Sequence, residues 1–341
     1  LRIIYKWGTP LLAAGCLVIL ARIWTRDGLT DLILTNPSIQ SFKILFISII
    51  LEAFPFILLG VLFSALLQVF VSDKMIARLT PKNPVVGVLF GSLLGLLLPL
   101  CECGMIPVVR RLIRKGMPAY IGLVFIFAGP IINPVVFTST FTAFRSEPLM
   151  AYSRMGLTFV VCVLLGLLLY RFLRKNPLRS AHPYSIHHHH EHSHNHSEGR
   201  NGLRGRISAT FAHASDEFFD IGKYLIMGAF ITAALQTALD RQLLDSITDQ
   251  PFVSHIFMMV LAFALSLCST SDAFVASSFS GLFSPGALLA FLVFGPMVDL
   301  KSTLMLFSAF RTKVVLTIIA FLFVAVLMGS MVMEKLVFYP S

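Results

Sequence analysis

Leu98–Arg145, LPLCECGMIPVVRRLIRKGMPAYIGLVFIFAGPIINPVVFTSTFTAFR, and Leu265–Arg311, LSLCSTSDAFVASSFSGLFSPGALLAFLVFGPMVDLKSTLMLFSAFR, are one pattern written twice. Each copy sets a cysteine after an apolar run (Cys101, Cys268), then a proline (Pro118, Pro285), a Gly-Pro break (Gly129-Pro130, Gly295-Pro296) and Ala-Phe-Arg. Upstream, GVLFSALLQ at Gly60–Gln68 matches GAFITAALQ at Gly228–Gln236. Two copies of an interrupted hydrophobic pattern in one apolar chain point to a transporter with a central site.

Composition sets the class. Of 341 residues 56% are hydrophobic and 13% charged, and the mean hydropathy is +0.83. Ala53–Ser72, Asn83–Cys101, Gly116–Phe144, Met155–Tyr170, Ala273–Val298 and Val314–Met333 contain no Asp, Glu, Lys or Arg. A spanning helix takes about 20 residues at ~1.5 Å rise, so most of these windows are spans or nearly so. Strand alternation is absent, which argues against a β-barrel. The expected fold is all-α and integral to the membrane, an inverted-repeat transporter with broken helices and re-entrant hairpins. The net charge of +10 sits in short loops, as the positive-inside rule requires, so no nucleic-acid partner is expected. Five cysteines in apolar surroundings (Cys16, Cys101, Cys103, Cys162, Cys268) do not make a disulfide framework. Arg2 and Lys6 precede an apolar run near Thr9–Ile23. No small-x-small cleavage site follows it, so a retained first helix is expected.

The basic residues give a topology. With a cytoplasmic N-terminus, Phe42–Val71 returns to the cytoplasm, where Lys74, Arg78 and Lys82 lie. A simple span through Val85–Leu100 would then put Arg110, Arg111, Arg114 and Lys115 outside. A re-entrant hairpin turning at Cys101–Gly104 avoids that, provided its turn is buried in protein or faces water. The equivalent hairpin, Phe252–Gly281, carries no Lys or Arg. Three crossings per copy then invert one copy relative to the other. This arithmetic gives seven spans plus two hairpins; counting each hairpin arm as a span gives nine or more. The chain divides into a first helix and outer loop (1–40), repeat 1 (41–175), a histidine-rich cytoplasmic linker (176–214) and repeat 2 (215–336).

Breaks in membrane helices expose carbonyls and amide ends that bind ions or polar groups. Four occur: CECG, GPIINP, CSTSD and GPMVD. They make Cys101, Glu102, Cys103, Asn133, Cys268, Ser269, Thr270, Asp272 and Asp299 candidate substrate-binding residues. Two thiols flanking a carboxylate suit a soft cation or metalloid; small residues for tight packing of a hairpin tip are the alternative. The Ser and Thr hydroxyls serve equally as helix caps. Glu52 and Asp220 each stand eight residues before the shared glycine (Gly60, Gly228). An acid inside a span faces a partner or a watery cavity. Both are candidate proton-coupling residues, or structural acids paired with Lys223 and Lys301.

Between the copies lies SIHHHHEHSHNHSEGRNG, Ser185–Gly202. Its His187, His188, His189, His190, His192, His194 and His196 form a tract of the kind that binds transition metals through imidazole nitrogens. A linker that delivers, buffers or senses metal is one reading, and a linker with no metal role the other. No resident cofactor is expected beyond such a metal. No GxxxxGK[ST] motif is present, so coupling falls to an ion gradient or a separate ATPase.

CECG at Cys101–Gly104, PVVRRLIRKGMP at Pro107–Pro118, FAGPIINPVVFTST at Phe127–Thr140, and CSTSDAF with FGPMVDLKST in the second copy resemble the bacterial predicted-permease family that includes the ArsP organoarsenical efflux permeases. The resemblance covers about Phe42–Met333. It implies a multi-pass permease of the bacterial inner membrane, and for some members export of trivalent organoarsenicals through cysteine, which makes Cys101 and Cys103 the candidate thiol ligands. A transition metal is the alternative substrate. The expected function is secondary-active efflux of a soft metal or metalloid by alternating access, with no enzymatic activity. A permease subunit acting with a partner protein on an envelope or lipid-linked substrate, and a membrane thiol redox protein, are the competing readings. CxC is not the CxxC redox spacing. Expected partners are membrane lipid, the metal or metalloid substrate, and a partner protein or a second copy.

Overall fold

The computed structural model describes residues 37–70, 83–97, 101–172, 203–238 and 251–338, with isolated positions between 75 and 81. The first apolar run and the histidine tract lie outside them, as do His182 and the side chain of Asp220. The described chain is helical: α1 (Pro37–Phe70), α2 (Pro84–Leu97), α3 (Glu102–Arg114), α4 (Ala119–Ala128), α5 (Pro134–Ala143), α6 (Leu149–Phe172), α7 (Leu203–Ala238), α8 (Pro251–Leu265), α9 (Asp272–Ser278), α10 (Pro285–Met297), α11 (Leu300–Ala309) and α12 (Thr312–Met333), ending in a π turn, Glu334–Phe338.

Local sequence explains most boundaries. Pro134 and Pro285 occupy first-turn positions, where a missing N–H costs nothing, behind the capping residues Asn133 and Ser284. Gly116, at φ +102°, closes α3: its own N–H meets the Ile113 carbonyl and the Met117 N–H reaches back to Leu112. The α7 helix starts at Leu203, inside the stretch assigned to the linker from sequence. Residues 203–238 contain no proline, so nothing in them stops a helix from running through that boundary.

Among the described residues four stretches are long and apolar enough to cross a membrane: Ile39–Ser64, Leu149–Phe172, Pro285–Ala309 and Thr312–Phe338. Pro84–Leu96, Ala119–Ala128 and Phe252–Leu265 are apolar but shorter. Burial ranks them. The Pro285–Ala309 window is 89% buried and forms the centre, whereas that of Ile39–Ser64 is 22% buried and lies at the outside.

The packing partners exchange between the two halves. The α2 helix packs on α4 and α6 as α8 packs on α10 and α12; α3 packs on α11 as α9 packs on α5; α1 packs on α7, and α6 on α12. One departure is that α1 crosses α3 while α7 lies against α11. Glycines permit the closest approaches. A methyl group on Gly60 would lie 2.5 Å from the Gly104 carbonyl oxygen, and one on Gly95 would lie 2.4 Å from the Gly129 Cα. Small residues let membrane helices approach backbone to backbone, where dispersion replaces the absent hydrophobic drive.

The two Gly-Pro segments differ. In the first half α4 stops at Ala128, and the chain turns through Gly129–Asn133 before α5. Asn133 holds both ends: its Oδ1 accepts from the Val136 N–H at 2.9 Å, and its Nδ2 donates to the Gly129 and Pro130 carbonyls, each at 3.2 Å. In the second half α10 runs through Gly295-Pro296 to Met297, and the break falls at Val298–Asp299. The Asp299 Oδ1 caps α11 by accepting from the Ser302 N–H and Oγ. An aspartate has no hydrogen to give the preceding carbonyls, so one residue cannot bridge both half-helices as Asn133 does.

Candidate functional site

Helix breaks bring charge into the centre, and α3 meets α11 there. The α3 helix starts at the CECG turn, with half-buried Cys101 at its N-cap, Glu102 3% exposed and Cys103 2% exposed. The Lys301 ammonium, on the first turn of α11, lies 3.6 Å from Glu102 Oε1 and 3.9 Å from Asp299 Oδ2. Lys301 is 4% exposed and Asp299 fully buried. Two carboxylate oxygens in this cluster, Glu102 Oε2 and Asp299 Oδ2, accept no hydrogen bond. The Cys103 and Cys268 thiols are close enough to Lys301 to feel its charge. Half-buried Cys268 lies near Glu102 and is met by the Thr270 hydroxyl at 3.6 Å.

A second network crosses the halves in the other direction. Arg154, on α6, is 1% exposed and donates from Nη2 to Asp272 Oδ2 at 2.6 Å and to the Ser269 carbonyl at 3.2 Å. Its Nη1 donates to the Thr140 hydroxyl at 2.8 Å, on α5. Asp272 opens α9, so the second break is fastened to the first half as the first break is fastened to α11. Burying a charge in a membrane protein costs several kcal/mol unless it is paired. Here Glu102 of the first half meets a base of the second, and Asp272 of the second meets a base of the first.

Ser266 joins the end of α8 to this centre. It is the one non-glycine with positive φ among the described residues, at 48°. Such a conformation is uncommon for serine and persists where the surroundings over-determine it. Its hydroxyl receives the Leu300 N–H at 3.2 Å and the Thr232 hydroxyl at 3.4 Å, and donates to the Phe263 carbonyl at 3.1 Å.

The residues singled out from sequence therefore separate into groups. Glu102, Cys103, Cys268 and Asp299 gather around Lys301 with Cys101 beside Cys103, while Ser269 and Asp272 gather around Arg154. Asn133 stands apart, with its amide engaged in joining α4 to α5. Thr270 contacts Cys268. Glu52 is exposed on α1, one turn before Phe56, whose carbonyl oxygen approaches Gly104, and its charge reaches Glu102 and Cys268. Lys301 faces Glu102 and Asp299 rather than Glu52, and Lys223 lies over the Tyr224 ring. Asp220 falls in α7. His187–His196 lie outside the described residues. Among the described residues no three Cys, His, Asp or Glu side chains converge as a ready-made metal cage.

Reasoning from sequence missed Arg154, Thr140 and Ser266. Arg154 had a signal: it is the one charged residue in the helix before Arg171, inside an apolar span. Ser266 and Thr140 had none, because a hydroxyl in a helix or turn is ordinary until its partners are known.

A family model described as a predicted permease (ArsP_1) matches residues 38–335. The chain is 47% identical over 291 residues to the UPF0718 protein YcgR of Bacillus subtilis (strain 168), covering 85% of this chain and 96% of that one. It is 38% identical over 273 residues to the putative two-component membrane permease complex subunit of Streptococcus mutans serotype c (strain ATCC 700610 / UA159), covering 80% and 88%. No solved structure matches. The chain belongs to this predicted permease family and is a helical, multi-pass membrane permease.

Proposed function

We propose that this permease is a secondary exporter of the bacterial cytoplasmic membrane that moves a soft metal or metalloid, of the trivalent organoarsenical kind, by alternating access between inverted repeats. One observation carries it: the Cys101, Cys103 and Cys268 thiols, drawn from both halves, lie around the buried Glu102–Lys301–Asp299 cluster at interrupted helices. Soft ligands suit soft cations and metalloids. Packing that exchanges between the halves supports two repeats rocking about a common site. Protons are carried by Glu52, the exposed acid beside the site, or by Asp220 at the matching position.

The test is uptake by inverted vesicles of trivalent methylarsenite, Zn²⁺ and other divalent metals. Cys101→Ser, Cys103→Ser and Cys268→Ser should each abolish it, while Cys162→Ser, a thiol buried in α6 away from the cluster, should leave it intact. Undiminished transport by Cys101→Ser would sink the thiol-ligand assignment.

A second reading rests on a name and a surface. The Streptococcus mutans relative is called a subunit of a two-component complex. In this chain Lys43, Ser48 and Glu52 are exposed along a shallow groove on α1 with Ile44, Ile47 and Leu51. Polar groups on the outside of a span favour a covering membrane protein over lipid. Co-purification of a second membrane protein that is lost in Glu52→Leu would favour this reading.

A further inference from the structure

We infer that Asp299 Oδ2 and Glu102 Oε2, the two unsatisfied carboxylate oxygens of the cluster, are ligands of one alkali-metal cation of sodium-like size, for which Lys301 is a tethered competitor. As a coupling ion, this cation rests on the transporter reading above; as a bound ion it does not.

Three observations converge. First, both oxygens are buried and accept no hydrogen bond. The Lys301 ammonium lies 3.9 Å from Asp299 Oδ2 and approaches Glu102 at its other oxygen, so it neutralises without hydrogen-bonding. A buried acceptor without a donor carries a desolvation cost of about 1–3 kcal/mol, more when charged. Second, the cluster sets two carboxyl groups against one ammonium, and Arg154 is committed to Asp272. The other groups that face the cluster, Cys101, Cys103 and Cys268, Asp272 on α9 and Glu52 on α1, bring no further cation.

Third, the other half shows what fills this place. At the equivalent position Asn133 Nδ2, a donor with partial positive charge, sits against the Gly129 and Pro130 carbonyls. Asp299 replaces that nitrogen with an unsatisfied oxygen beside the C-terminal end of α10, the negative pole of a half-helix. A small cation there stands where the amide nitrogen stands in the first half. Oxygen donors select a hard cation, in contrast to the soft ligands offered by the thiols. Half-helix C-termini are a recurrent location for such ions in transporters.

The experiment is thermal unfolding of the purified full-length protein in detergent, titrated with NaCl, KCl or LiCl against choline chloride at constant ionic strength. Wild type should be stabilised by sodium over choline. Lys301→Met should reach half-saturation at about tenfold lower sodium, as removing a competitor that holds the site about nine-tenths of the time would do. Asp299→Asn, which restores the asparagine of the first half with its own donor, should fold and lose the sodium effect. If Lys301→Met does not fold, the wild type and Asp299→Asn decide between them. An equal sodium effect in Asp299→Asn would overturn the inference, as would no alkali-cation effect in any folded form. Stabilisation by lowered pH alone would overturn it in favour of a proton. A Cys101→Ser/Cys103→Ser/Cys268→Ser variant separates the two proposals. A sodium effect that persists there, alongside a wild type that moves no soft substrate, keeps this inference and removes the proposed substrate; thiol-dependent transport by a wild type that shows no sodium effect does the reverse.

Discussion

The Lys301 ammonium of the second half stands 3.6 Å from the Glu102 carboxylate at the first break, and Arg154 of the first half donates at 2.6 Å to Asp272 at the second. The two breaks are thus fastened crosswise, each to a base from the opposite half. Under the proposed alternating-access function, opening one side requires at least one of these pairs to lengthen or exchange its partner.

Removing one partner of the tighter pair should be costly. Arg154→Met leaves Asp272 as a buried, uncompensated charge, at about 3–5 kcal/mol. The double variant Arg154→Met/Asp272→Leu should recover much of that loss, because both charges leave together. Melting temperatures of the four proteins of the cycle in detergent give the coupling directly. Additive single effects would show that the pair does not act as a unit.

Gly60 should tolerate no side chain. Its hypothetical methyl lies 2.5 Å from Gly104 O and 2.6 Å from Gly104 Cα, both backbone atoms that cannot step aside alone. Gly60→Ala should therefore cost about 1–3 kcal/mol or more and reduce the folded yield. Gly156→Ala, with no atom within 4 Å of its methyl, should be neutral or slightly stabilising. Fluorescence-detected gel filtration after heating compares the two.

Asn133 should show graded behaviour. Asn133→Asp keeps the acceptor for Val136 N–H and loses the two donations to Gly129 and Pro130. Asn133→Ala loses all three. Unfolding midpoints should fall in the order wild type, Asp, Ala, with about 1–3 kcal/mol separating the ends. Equal loss in both variants would place the whole contribution in the donated bonds.

If the repeats are inverted, Arg111→Cys and Phe279→Cys, which follow equivalent breaks, should react with an impermeant thiol reagent from opposite faces of the membrane in a background lacking the native cysteines. Labelling from one face would remove the inversion while leaving the paired helix contacts intact.

Much of the layout was legible in the sequence. The apolar windows, the glycines and the prolines marked helices and breaks because membrane spans have a fixed minimum length, and Pro and Gly act locally. The start of α7 at Leu203 was not legible because the residues between Leu203 and Phe218 resemble a linker in composition. Glu102 and Asp299 were visible as buried acids, but their partner was not. From sequence, Lys301 and Lys223 were available to Glu52 and Asp220 as structural partners, since a sequence lists which charges exist and is silent on which helices cross.

By itself, then, the sequence determined the helical membrane class and the neighbourhood of the breaks, both of which follow from hydropathy and local backbone chemistry. Tertiary structure alone decided the pairings: Glu102 with Lys301, Asp272 with Arg154, and Asn133 with the carbonyls that Asp299 cannot serve. The reason is physical. Hydropathy and helix breakers act within a few residues of chain, whereas a buried charge is settled by whichever opposite charge the packing of distant helices brings within about 4 Å.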